Sequence, residues 1–154
     1  MFFKTQEELR YDHITEHGDH TQIITNLYLY ADKKEKIFLE IAPVRVSENG
    51  DIMWEDWNFY DSMRVFQTDY DKLIVPYLKR IFPVTDPDDG EIQEYLDVCS
   101  LNWLGSSDCE RLIDIIRSEM GNSTDDEKAF LNEFIRFSQH CMTISNIILI
   151  EGNL

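Results

Sequence analysis

Three of the four histidines fall in one short run, DHITEHGDH at residues 12–20, where His13, His17 and His20 alternate with Asp12, Glu16 and Asp19. Imidazole nitrogens and carboxylate oxygens are ligands that zinc and related ions accept, and His13 and His17 share a face of either a helix or a strand. A small metal-dependent enzyme using His13, His17 and His20 is therefore one reading of the chain. Against it, Gly18 interrupts any helix that would carry all three, the spacing matches no zinc motif, and a solvated polar turn accounts for the same residues. The expectation is no metal and no cofactor. The segment DPDDGE at 86–91 resembles the start of a calcium loop only superficially. Counted from Asp86, the sixth place holds Glu91 where that loop requires glycine. A carboxylate cluster at a helix start, favoured by the helix dipole, is the simpler expectation.

Nucleophilic chemistry finds equally little support. Cys99, Cys109 and Cys141 are odd in number, far apart and without a CxxC spacing, which suits a reducing compartment rather than a disulfide framework. His140 and Cys141 are sequence neighbours, but neighbours on a helix point about a quarter-turn apart, so adjacency makes no dyad. GxSxG, Walker and GxGxxG patterns are absent and the glycines stand singly. No catalytic residue is assigned.

What remains is charge and aromatic surface. The 154 residues include 14 Lys and Arg against 30 Asp and Glu, a formal net charge of −16. Residues 1–85 hold 10 basic and 15 acidic side chains, net −5, while residues 86–154 hold 4 and 15, net −11. Such a chain repels nucleic acid and anionic lipid, and it attracts cationic surfaces. The stretch DIMWEDWNFYDS at 51–62 interleaves Trp54 and Trp57 with acids, the composition of an anchor for a basic, partly apolar surface, although a half-buried strand explains the same residues. The expected partner-binding residues are Asp86, Asp88, Asp89, Glu91, Glu94, Asp125, Asp126 and Glu127, with Trp54 and Trp57 as anchors. The functional expectation is a non-enzymatic acidic inhibitor of a basic, nucleic-acid-acting protein: an immunity protein, an antitoxin or a nucleic-acid mimic. An adaptor or oligomerisation module is a further alternative. The N-terminal residues MFFKTQEELR lack the apolar stretch of a signal peptide, and the run IILI at 147–150 is too short to span a bilayer, so a cytoplasmic protein is expected with no membrane and no direct nucleic-acid partner.

The elements that must position these residues point to one α+β domain over 1–154. Residues 1–68 are sheet-rich, 69–142 helix-rich, and 143–151 form a returning terminal strand, so an antiparallel sheet packs against helices. Residues 21–31 and 36–46 read as two strands of a hairpin, with Pro43 placing the second at an edge or breaking it there. The Asn49-Gly50 turn then leads into 51–62 as a third strand, bulged near Glu55-Asp56. Leu73, Ile74, Tyr77, Leu78, Ile81 and Phe82 follow a helical period, with Pro76 confined to a first turn or a kink. Residues 83–90 are a connector and 91–99 a short helix. Ser107 to Glu110 and Thr124 to Glu127 each fit a capping box ahead of an amphipathic helix. The segment up to residue 17 fits either a helix or a strand.

Overall fold

A hairpin opens the sheet. Strands β1 (Arg10–His17) and β2 (His20–Leu27) pair antiparallel around Gly18-Asp19. Gly18 has φ +68° and Asp19 does not share that sign, the pattern of a type II′ turn, which takes glycine at its first central position because a Cβ there is strained. The N-terminal segment is thus a strand from Arg10 onward. The computed structural model describes residues 9–53 and 59–154, so Trp54, Trp57 and the expected bulge at Glu55-Asp56 lie outside the described residues.

The expected pairing of 21–31 with 36–46 does not form. Strand β4 (Ser62–Phe66) lies between β2 and β3 (Phe38–Pro43), parallel to β2 and antiparallel to β3. The reason lies in Asp69, which is fully buried. Its carboxylate accepts the backbone N–H of Leu29 at 2.8 Å, Tyr30 at 2.7 Å and Ala31 at 3.3 Å, so the chain leaves the ladder after Leu27 and cannot turn back as a hairpin. Pro43 ends β3 beyond its last pair with β4, where no N–H is needed on that side. The Asn-Gly turn is present, with Gly50 at φ +86° and a single antiparallel bridge from Val46 to Ile52. At the far end of the expected third strand, Phe59–Asp61 are irregular and Ser62 already belongs to β4.

The helical period at 73–82 is realised as two short helices, α1 (Gln67–Leu73) and α2 (Val75–Leu78), with Pro76 in the first turn of the second. Proline lacks an N–H and its ring crowds the preceding turn, so a continuous helix would be broken there. No helix covers 91–99. Instead β5 (Val84–Thr85) and β6 (Ile92–Gln93) form a small antiparallel pair, followed by turns. The buried Asn102 side chain fixes that segment: its Oδ1 accepts from Gln93 Nε2 at 2.7 Å and Asp97 N at 2.8 Å, while Nδ2 donates to Asp97 O at 2.7 Å and Ile150 O at 3.0 Å.

Asn102 sits on β7 (Leu101–Gly105), a strand that no sequence expectation covered. Helix α3 (Ser106–Glu119) follows without the expected Ser107 box. It begins two residues earlier, capped at Gly105 with no side-chain bond, and the Ser106 N–H donates to Asn146 O at 3.1 Å. Helix α4 (Asp125–Ile144) has its box complete. Glu127 N donates to Thr124 Oγ1 at 3.2 Å and Thr124 N to Glu127 Oε1 at 3.0 Å. The last strand, β8 (Ile147–Gly152), starts later than expected because Thr143 and Ile144 complete α4.

The six-stranded order is β1-β2-β4-β3-β8-β7 with one parallel pair, β2 and β4. This is the α+β architecture expected: strands mostly from the first half, helices mostly from the second, and a C-terminal strand returning to the sheet. Leu39, Ile41, Val65 and Ile148 on one sheet face meet Leu112, Ile116, Phe130 and Phe134 from α3 and α4 in one core. Such helix stripes on a strand face remove apolar surface worth about 25 cal/mol per Å². On the opposite face Val44, Trp103, Ile147 and Leu149 form a smaller cluster. Tyr70 is 1% exposed, and its hydroxyl has no hydrogen-bond partner among the described residues. An unsatisfied buried hydroxyl costs about 1–3 kcal/mol, so Tyr70→Phe should leave stability unchanged or raise it by about 1 kcal/mol in urea denaturation. A loss above about 2 kcal/mol would mean that the hydroxyl is bonded in solution.

Candidate partner-binding surface

The acidic segment predicted as a helix start is a hairpin tip. Asp86 N donates to Glu91 O at 2.8 Å and Gly90 N to Asp86 O at 2.9 Å, with Gly90 at φ +75°. The carboxylates stiffen their own loop: Asp86 Oδ1 accepts from Asp88 N at 2.8 Å and Asp89 Oδ1 from Glu91 N at 2.9 Å. Asp88, Asp89, Glu91 and Glu94 are exposed, Asp86 is half-buried, and none of the five joins an ion pair among the described residues. Burial raises the Asp86 carboxyl above its ordinary range; the hydrogen bond from Asp88 opposes this, and the neighbouring Asp89 and Asp88 charges add to it.

Two apolar side chains that sequence reasoning passed over stand among these acids. Ile92 is 63% and Tyr95 is 81% exposed. The surface therefore combines uncompensated negative charge with an aromatic and an aliphatic contact, the combination expected of Trp54 and Trp57. The signal was present in the sequence: the thirty residues between Arg80 and Arg111 hold eight Asp and Glu and no Lys, Arg or His.

The second expected group does not join the first. Asp125, Asp126 and Glu127 occupy the first turn of α4. Glu127 is buried and committed within the fold, accepting from Thr124 N and from Tyr30 Oη at 3.0 Å and forming an ion pair with Lys72 Nζ at 3.6 Å. The Thr124 backbone bond, with Tyr30 and Lys72 adding to it against burial, holds its carboxyl below the ordinary range. Its assignment to a partner surface is therefore corrected: it is a capping and bridging residue. Asp125 is exposed and Asp126 half-buried. Glu127 is tied to Tyr30 just beyond β2, whereas the hairpin adjoins β7, four strand spacings or about 19 Å across the sheet.

The histidine run lies on one face of the first hairpin, with each ring engaged locally. Asn26 Nδ2 donates to His13 Nδ1 at 2.8 Å, His17 Nε2 donates to Gln22 Oε1 at 2.9 Å, and His20 Nδ1 donates to Asp19 Oδ1 at 3.0 Å. Rings His17 and His20 stack at 5.3 Å. No set of three or more His, Cys, Asp or Glu is arranged to hold a metal ion among the described residues.

A cleft of about 330 Å³ lies between β1, β2 and α4, lined by Arg10, Asp12, Met63, Glu133, Arg136 and Phe137 among others. Four of its charged side chains are paired with one another. Arg10 donates to Asp12 at 3.0 and 3.1 Å and to Glu133 at 3.4 Å, and Arg136 donates to Glu133 at 2.8 Å. Burial works to raise the Asp12 carboxyl, yet hydrogen bonds from Arg10 and Thr25 leave it below its ordinary value. A carboxylate so held is a poor proton donor near neutrality. Burial pushes the Cys109 thiol up to about 12 and the Cys141 thiol higher still, so neither is a ready nucleophile. No helix among the described residues is long and apolar enough to cross a membrane. No family model, curated protein or solved structure matches the chain.

Proposed function

We propose that the protein is a non-enzymatic acidic binding protein that occupies the cationic surface of a nucleic-acid-acting partner and blocks it, in the manner of an immunity protein, an antitoxin or a nucleic-acid mimic. The observation that supports this reading best is the β5–β6 hairpin with the turns after it. There Asp88, Asp89, Glu91 and Glu94 are exposed with no ion pair among the described residues, beside the exposed Ile92 and Tyr95. Carboxylates left without internal cations create a field that steers a Lys- and Arg-lined groove into contact and excludes its polyanionic substrate. An aromatic and an aliphatic side chain within that field supply the desolvated contact that charge alone does not. The anchors in this proposal are Ile92 and Tyr95; the internal bonds of Glu127 remove it from the surface.

Affinity capture with the full chain from a lysate of its native host tests the reading. A basic, nucleic-acid-binding protein should be retained at low ionic strength and released as salt is raised, because exposed charges more than about 10 Å apart are screened at 0.1 M. Retention of an acidic partner, or of any partner indifferently to salt, would contradict it and favour an adaptor whose acidity serves solubility.

A further inference from the structure

The opposite edge of the sheet carries a surface unrelated to the acidic hairpin. Strand β7 is flanked by the β5–β6 segment that Asn102 holds, whereas among the described residues β1 pairs with β2 alone. Its eight residues run in unbroken register from Arg10↔Leu27 to His17↔His20, without proline, glycine or bulge. Free edges are normally short or blunted, and strands commonly have about 5–6 residues. Here the edge is long and bordered by exposed apolar side chains: Tyr11 56%, Ile14 67% and Ile23 40%.

The backbone groups on this edge can be assigned. Residues flanking a two-residue turn exchange backbone hydrogen bonds, so His17 pairs in that way with His20, and every second pair back along the ladder does likewise. Ile23 lies on the other alternation, and its N–H does point away from β1, donating to Asp61 Oδ1 at 2.8 Å. Its partner Ile14, with Arg10, Asp12 and Glu16, therefore turns N–H and C=O outward to the free edge.

We infer that β1 pairs antiparallel with β1 of a second copy, centred on His13, joining the two sheets into one. Charge selects this register. Centring on His13 sets Arg10 opposite Glu16 of the other copy, twice, and brings the two Ile14 side chains diagonally together. Centring on Ile14 sets Asp12 opposite Glu16 twice, and centring on Asp12 sets the two Asp12 carboxylates face to face. Directly opposed like charges destabilise a ladder and opposite charges support it. Centres nearer either end of β1 shorten the ladder. Glu16 is exposed with no bond among the described residues, and Arg10 keeps two of its five N–H donors beyond those given to Asp12 and Glu133.

Two chains of net charge −16 repel at long range, so raising salt from a low value strengthens the dimer, the opposite sign to release of a basic partner. Sedimentation velocity on the full chain provides the test. The wild type should pass from monomer to dimer below about 0.1 mM, more readily in about 0.3 M salt. Ile14→Pro deletes an outward N–H without touching the β1–β2 ladder, and Glu16→Arg sets it against Arg10. Each should weaken dimerisation by about tenfold or more with an unchanged far-UV spectrum. A wild type monomeric at about 0.1 mM at both salt levels, including one that instead takes up another protein's strand on β1, would overturn the proposal. So would a dimer that neither variant weakens.

Discussion

Gly152→Ala is expected to lower the unfolding free energy by about 3 kcal/mol or more, enough to leave a marginal domain largely unfolded at 37 °C. Gly152 lies in β8 opposite Leu39, and its N–H donates to Ser100 O at 2.9 Å. The chain at Val98-Cys99 passes directly over its Cα. A Cβ built there would run into the Val98 carbonyl oxygen and carbon and stand 3.2 Å from Cys99 N. Those are backbone atoms, so no rotamer change relieves the overlap. The segment after β6 would have to lift from the sheet, breaking the bonds that Asn102 makes to Gln93 and Asp97. Urea denaturation with near-UV circular dichroism reads both effects. A variant within about 1 kcal/mol of wild type would show that this crossing is looser than described.

The second large effect belongs to Asp69. One buried carboxylate collects the N–H groups of Leu29, Tyr30 and Ala31, a charge-assisted cluster in a site with little water. Asp69→Ala strands these donors and should cost about 4 kcal/mol, since each unsatisfied buried group costs about 1–3 kcal/mol and neighbours do not add in full. Asp69→Asn keeps the shape but replaces one acceptor by a donor facing donors, and should cost about 2 kcal/mol. Denaturation midpoints for the pair separate the mechanisms. If the alanine variant loses under about 1 kcal/mol, the amides find water or other partners, and the account of why β2 ends at Leu27 fails.

Features legible in the sequence were those written locally. The Thr124 and Glu127 box is a contact across three residues, and the Phe130 and Phe134 stripe is set by helical period, so α4 was recognisable without tertiary context. The run IILI is apolar and β-branched enough to announce β8, although a helix claimed its first expected residues. What could not be read was decided by contacts between distant residues. Asp69 lies about forty positions from the amides it binds, and nothing local marks it as the reason that β4 enters between β2 and β3. Asn102 likewise holds the chain from Gln93 to Asp97 out of the helix expected over 91–99. At the site the same division holds. The carboxylate cluster at 86–94 was visible as composition, and its freedom from ion pairs was foreshadowed by the absence of Lys, Arg and His from 81–110. The internal role of Glu127 was not, because Tyr30 and Lys72 are remote in sequence.

The central claim is that the hairpin after β5, rather than net acidity spread over the molecule, recognises a cationic partner. It is tested most directly by repeating host capture at low ionic strength with the variant Asp88→Asn, Asp89→Asn, Glu91→Gln, Glu94→Gln beside the single variant Asp125→Asn. The four-site variant should hold the basic partner severalfold to several hundredfold more weakly, since each of four exposed pairs contributes about 0.2–1 kcal/mol, while Asp125→Asn retains nearly all of it. Equal retention by the wild type and both variants would contradict the claim.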